Sequence, residues 1–356
     1  MWRSPGGREG GRRAAVRAAA REYPETRLRV GPMDRGDGMR VPMAVGPWMT
    51  APGGEQTVAA LGVIIDDAIG IEVHNQRPAG THSVTTELSV DVVFPPPWPG
   101  PELVATSRLA GAGPADGVSR GEVRDGDGRV VAIASGRSRF VPATGIHAGV
   151  AEVEREPPER IEPADHRTIL QVLDIADLGR SLILGFGGDA DPGLRRPPSV
   201  GGPSAEAFVP APRPTADDWP AQVAAAVAHN GKAAGAVLAG GPAPSATPAP
   251  PTTAQLIVPP LEAFGNGSGT MHGGLLFAGT DLAAAGLAGA LGPRAAADYT
   301  TSLRINLLRP ALLSEPVIFT ASVVNRGRSV SVYRVVSHGS AGRPYTVATV
   351  TRSSRP

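Results

Sequence analysis

The stretch GTMHGGLLFAGTD, residues 269–281, joins a histidine and two glycines to an apolar run that ends on one aspartate. If Gly273 opens a helix, its N–H is among the four amides with no partner inside that helix, at the positive end of the dipole. Glycine there lets a ligand approach the backbone closely. Such an amide can hold a carbonyl oxygen and stabilise negative charge as it develops. Asp281 lies further down the same run, roughly 12 Å along a helix axis. One carbonyl carbon cannot reach both groups, so if both act, each needs a partner from elsewhere.

The chain supplies one. The run TVAALGVIIDDAIGIEV (57–73) is helix-like and mostly apolar, and strand-like runs follow it at 81–96, 102–110, 117–126 and 129–141. RDGDGR (124–129) between the last two is a hairpin signal, because glycine supplies the positive φ of a tight turn. The apolar run 273–292 is likewise followed by strand-like runs at 298–310, 316–327, 328–338 and 344–353. TTELSVDVVFP (85–95) aligns with TTSLRINLLRP (300–310), and stepping back nineteen residues from Thr85 gives Asp66, from Thr300 Asp281. This reads as an internal duplication, in which an equivalent helix packs alongside in the opposite sense. A long helix followed by antiparallel strands in each half is an α+β pattern.

A chain of 356 residues holds two domains of ordinary size. Its 34 basic and 33 acidic residues nearly cancel, so it has no general electrostatic pull toward nucleic acid or anionic lipid. The absence of cysteine excludes disulfides, zinc-thiolate sites and cysteine nucleophiles, and a cytoplasmic location is the simplest expectation. Residues 1–40 read as a disordered, arginine-rich tail without the apolar core of a signal peptide. Gly273–Gly292 is about long enough to span a membrane, yet a helix buried in a soluble protein explains its small residues and central Asp281 better. The expected organisation is a first domain over 41–142, a linker over 143–253, and a second domain over 254–356. In the linker, 163–183 and 219–238 read as short helices and the Pro/Ala/Ser stretch 240–253 as extended.

NGSGTMHGGLLFAGTD (266–281) followed by TTSLRINLLRPA (300–311) resembles the hotdog-fold acyl-CoA thioesterases of the phenylacetate-degradation (PaaI-like) type, over roughly the last hundred residues. The first half matches through its Asp, its Thr-Thr strand and its strand order. The resemblance implies two hotdog domains in one chain, each a long central helix wrapped by an antiparallel sheet, as a pseudo-dimeric double hotdog. It implies a hydrolase of acyl-CoA or acyl-carrier thioesters that needs no cofactor or metal, with no nucleic-acid or membrane partner, and admits a homodimer of such double units.

In that family one unit lends an Asn and a glycine amide to the thioester carbonyl, and the other lends an Asp and a hydroxyl residue that positions water. Carried over, Asn266 and Gly273 form the first pair, with His272 and Gly274 shaping the turn. The first half has Ala51 in place of Asn and TVA (57–59) in place of His-Gly-Gly. The complete composite site is therefore Asn266 and Gly273 with Asp66 and Thr85. Asp281 and Thr300 face the degenerate turn. Asp67 can replace Asp66 if the register slips by one, and Arg326 and Arg328 in the turn NRGRS are candidates for CoA phosphates.

Blander readings stand beside these. His-Gly-Gly alone is only a tight turn, Asp281 can be a structural relic, Asp66 and Asp67 can mark where a helix meets solvent, and basic hairpin turns are common on surfaces. The remaining histidines show no metal spacing. A non-catalytic thioester-binding or assembly protein is the rival class. A hotdog hydratase would need an Asp-x4-His pair that the sequence does not place suitably.

Overall fold

The computed structural model describes residues 23–52, 54–143, 167–175, 182–185, 251–266 and 268–354. Its frame is one twelve-stranded antiparallel sheet carrying two long helices, α2 (Leu61–His74) and α4 (Gly273–Ala290). The strands are β1 (Asp34–Gly36), β2 (Gly38–Ala44), β3 (Thr81–Val92), β4 (Glu102–Ala112), β5 (Asp116–Arg124), β6 (Val130–Pro142), β7 (Leu182–Gly185), β8 (Thr253–Val258), β9 (Tyr299–Leu307), β10 (Val317–Arg326), β11 (Val330–His338) and β12 (Pro344–Ser353). Short helices α1 (Pro24–Arg27), α3 (Ile169–Val172) and α5 (Pro293–Ala296) complete it.

The strand order is β1-β2-β4-β5-β6-β3-β9-β12-β11-β10-β8-β7. From the centre outward, β3-β6-β5-β4-β2 on one side mirrors β9-β12-β11-β10-β8 on the other. The two halves join where β3 and β9 pair antiparallel from Glu87↔Asn306 to Asp91↔Ser302. Arg304 clamps that seam, donating to both Asp91 oxygens at 2.7 and 2.8 Å and to the Val90 carbonyl at 2.9 Å. The correspondence holds at a constant spacing: Gly38 and Thr253, which open β2 and β8, stand 215 residues apart, as do Asp66 and Asp281 and Thr85 and Thr300.

Both long helices are apolar on nearly every side because each lies between the sheet and the other helix. Leu61, Val63, Ile64, Ile65, Ala68 and Ile69 of α2 join Leu275, Leu276, Phe277, Ala278, Ala283 and Leu287 of α4 in one core. Among the described residues α4 alone is long and apolar enough to cross a membrane, and 72% of that window is buried inside the protein. Strand alternation matches this core: Leu103, Ala105 and Ser107 of β4 point inward. The inward serines Ser107 and Ser119 donate to the Ala68 and Ile69 carbonyls of α2, at 2.5 and 2.7 Å.

Two sequence-based boundaries shift. The tail expected over 1–40 ends sooner, because α1, β1 and the first three residues of β2 lie within it. β2 buries Met39, Val41 and Met43 in strict alternation. Its central Pro42 disguises a strand, and is tolerated because β1 pairs with β2 only as far as Arg40. The linker expected over 143–253 contributes α3, the edge strand β7 and the first residue of β8. Residues 219–238 and 240–250 lie outside the described residues.

The helices meet at backbone distance. A Cβ on Gly62 would run into the Gly274 carbonyl oxygen, and one on Gly274 would stand 2.5 Å from Val63 Cα. Gly62→Ala should therefore force the helices apart and lower stability by about 1–3 kcal/mol, measured by denaturant melts. An unchanged midpoint would show that the contact is looser than drawn.

Candidate active site

Antiparallel packing of α2 and α4 sets the start of each helix against the middle of the other. α4 begins after His272, whose ring Nδ1 lies 3.0 Å from the Gly274 nitrogen at the cap position. The Gly274 N–H donates to Asp66 Oδ2 of α2 at 3.0 Å. Asp66 Oδ1 accepts from the Thr85 hydroxyl of β3 at 3.2 Å. Its carboxylate occupies the space a side chain on Gly273 would take, since a Cβ there would stand 2.5 Å from Oδ2. The structure brings the second-half glycine turn and the first-half carboxylate into direct contact.

Asp66 engages the amide of Gly274, the second glycine of the turn, a contact that the sequence alone did not suggest. The Gly274 N–H is thereby spent inside the protein and cannot bind substrate. The Gly273 N–H makes no hydrogen bond among the described residues.

The other end of the helix pair repeats the pattern with different side chains. Thr57 caps the turn Val58–Ala60 ahead of α2, accepting from the Ala59 N–H at 2.9 Å. Ala59 N–H also donates to Asp281 Oδ2 at 2.9 Å. The Thr300 hydroxyl donates to Asp281 Oδ1 at 2.5 Å. Both threonines owe their aim to a β-bulge: the β3–β6 register skips Thr86, and the β9–β12 register skips Thr301. A bulge bends a strand and redirects its neighbouring side chain. The Thr86 and Thr301 hydroxyls each donate to a carbonyl of the neighbouring strand, at 3.1 and 3.2 Å.

The two ends differ in access. Asp281 is 2% exposed and Thr300 1%, whereas Asp66 is 9% exposed and Thr85, Gly273 and Asn266 are half-buried. Arg352 backs the Thr300 hydroxyl at 3.0 Å, so the Asp281 end is a closed polar network.

Asn266 sits on the loop before α4. Its Oδ1 accepts from Ser268 N–H, Thr270 N–H and the Thr270 hydroxyl at 3.0, 3.3 and 3.1 Å, which leaves the NH2 as the end the loop does not use. The equivalent loop at Ala51 keeps the same backbone closure: Ala51 N–H to Glu55 O at 2.7 Å matches Asn266 N–H to Thr270 O at 2.9 Å. The fold of the loop does not depend on the Asn side chain. A surface pocket of about 380 Å³ opens at this first loop, lined by Gly46, Thr50, Gly54, Glu55, Gln56 and Pro97, and not at Asp66.

Asp67 does not substitute for Asp66. It turns to the far side of the turn, where its Oδ1 meets His272 Nε2 at 3.2 Å, while His272 Nδ1 lies 3.3 Å from Asp66 Oδ2. Asp67 Oδ2 is buried without a hydrogen-bond partner. Glu25 of α1 brings its carboxylate to the same place, with donor atoms of Glu25, Asp67 and His272 all within 4.8 Å. These are the residues close enough to share a cation or a proton. Burial disfavours charge on His272, but the hydrogen bond and charge of Asp67, with Asp66 and Glu25 behind it, outweigh this and hold it up at about 9. Burial and then Glu25 push Asp67 up to about 6 against the pull of His272. The sequence treated Asp67 only as a register slip. The signal was there in the pairs Asp66-Asp67 against Asp281-Leu282 and His272 against Thr57, which change together.

Arg326 and Arg328 do not join this site. Arg326 donates to the Leu291 carbonyl at 3.2 Å and the Arg328 carbonyl accepts from Arg294. Both stand at the C-terminal end of α4, roughly 27 Å along the helix from Gly273. A hairpin turn's charge could be read from sequence, but not which end of the helix it would cover.

Residues 268–340 match the Thioesterase superfamily. No curated protein matches the chain. A solved structure from Thermobifida fusca YX assigned as a thioesterase II is similar at 12% identity over 93% of this chain and 98% of that one, with a TM-score of 0.50. An acyl-CoA thioesterase II, TesB2, from Mycobacterium marinum is 10% identical over 93% and 96%, TM-score 0.49. A hot dog fold protein from Alicyclobacillus acidocaldarius is 11% identical over 94% and 98%, TM-score 0.49.

His272 and Asp67 both hold protons more tightly folded than unfolded, so their contribution to stability is greatest in acid and falls as pH rises. The Asp67 part is lost as pH climbs from 3.8 through about 6. The His272 part is lost as pH climbs from 6.5 through about 9. Thermal melts of the double variant Asp67→Leu/His272→Thr should gain steadily on the wild type between about pH 4 and pH 9. A pH-independent difference would mean that the pair carries no such charge.

Proposed function

We propose that this chain is an acyl-thioester hydrolase built as a pseudo-dimeric double hotdog, the product of an internal duplication related to the PaaI-like thioesterases, with one working site at the Asp66 end of the helix pair. The observation that carries this reading is the convergence of Asp66, Thr85 and the His272-Gly273-Gly274 turn at the more accessible of two otherwise matched ends. Acyl-CoA and acyl-carrier thioesters are the substrate classes.

In this reading the thioester carbonyl oxygen lies against the free Gly273 N–H and the Asn266 NH2. Asp66 takes a proton from a water aligned by Thr85, and that water's oxygen bonds to the carbonyl carbon. The oxyanion collapses, the C–S bond breaks, and the thiolate leaves with the proton that Asp66 had taken. Preorganised donors aimed at the developing charge do most of the work in such a step, and general-base help adds about 10²–10⁴-fold. Asp281 and Thr300, catalytic candidates by their spacing, serve here as the structural counterpart.

A second reading rests on the pocket at Gly46–Gln56 and on the direct contact of Asp66 with the turn, which favour a protein that binds acyl thioesters without cleaving them. A panel of acyl-CoAs with a free-thiol readout separates the two. Asp66→Asn should lower kcat by about 10²–10⁴-fold and Asn266→Ala by about 10²–10³-fold, with Asp281→Asn acting mainly on stability. If Asp281→Asn alone abolishes turnover in a folded protein, the working end has been misassigned. Binding without turnover in the wild type would leave the second reading.

A further inference from the structure

The two ends of the helix pair serve as each other's control. Each has a carboxylate on a helix-start amide, a threonine aimed by a bulge, and a polar side chain at the cap position beside that same amide. Thr57 caps one turn and Leu282 follows its aspartate, so neither the turn nor the helix contact requires an ion pair. At the other end the same two positions hold His272 and Asp67, a buried pair with one carboxylate oxygen left without a partner. Burying such a pair costs desolvation that its attraction often does not recover, and an apolar pair of similar volume is often as stable or more so. A feature that the matched end folds without, and that touches the carboxylate of the more accessible end, calls for a role other than folding.

Building on the thioesterase reading, we propose that Asp67 is a positioning residue that acts through His272 to aim Asp66. Asp67 holds the imidazole at Nε2, so that Nδ1 and the Gly274 N–H together pin Asp66 Oδ2 at 3.3 and 3.0 Å. Only Oδ1, beside the Thr85 hydroxyl, is left to take the proton from water. The arrangement parallels the logic of a buried carboxylate that orients a histidine toward a reacting group, with a carboxylate in the reacting place. The charged groups facing His272 are Asp66 and Asp67 from α2 and Glu25 from α1.

The experiment compares wild type, Asp67→Asn and the double variant Asp67→Leu/His272→Thr, which copies the other end. The double variant should fold and melt at or above the wild-type temperature near neutral pH. On a thioester that the wild type cleaves, both variants should lose kcat by about tenfold or more with KM nearly unchanged, and the pH profile of kcat should shift. Wild-type kcat and pH profile in both variants would overturn the proposal while leaving the hydrolase reading intact. A large fall in melting temperature for the double variant would also overturn it, because the pair would then be structural. A wild type that cleaves no thioester would remove the hydrolase reading itself, and this proposal with it.

Discussion

The interaction on which the rest depends is a carboxylate from the middle of one helix bonded to a backbone amide at the start of the other, made twice in opposite directions. Helix starts leave N–H groups without partners and carry partial positive charge. A buried carboxylate needs donors. Asp66 on the Gly274 amide and Asp281 on the Ala59 amide answer both needs at once. The geometry works only if the backbones nearly touch, which Gly62 and Gly274 permit, and only if the helices run antiparallel. The unbroken sheet through β3 and β9 holds them so.

Two ends built on the same plan need not do the same thing. The Asp281 end is shut, its carboxylate surrounded by Thr57, Ala59 and Thr300 with Arg352 behind. The Asp66 end is the more exposed of the two, Asp66 at 9% against 2% for Asp281, and has a glycine whose N–H is not engaged among the described residues. A symmetric frame thus carries two unequal ends: one keeps Asn266, the His-Gly-Gly turn and the more exposed carboxylate, and the other a closed polar network.

Much of the frame was legible because period and punctuation agree. The glycines of RDGDGR mark the β5–β6 turn, where Gly128 adopts φ +79, and eight strands fall where β-branched runs stand between Gly and Pro. β2 and β8 were not legible, since Pro42 interrupts one and the other is six residues against a Pro/Ala-rich stretch. The equal spacing from Asp to Thr in both halves was legible as a repeat. The bulge that gives the second Thr of each pair its purpose was not, because a bulge is a property of pairing between strands.

The sequence by itself determined which residue types stood ready: an aspartate inside each apolar helix, one intact His-Gly-Gly turn, one degenerate turn, and threonines at matching distance. Those are local facts, set by spacing along one chain. Only the tertiary structure decided that the Gly274 amide meets Asp66, that Asp67 turns to His272, and that Arg326 and Arg328 stand at the far end of α4. The reason is physical. An amide's direction is fixed by the cap, two adjacent helix residues point about 100° apart, and which groups they meet depends on a neighbour hundreds of residues away in sequence.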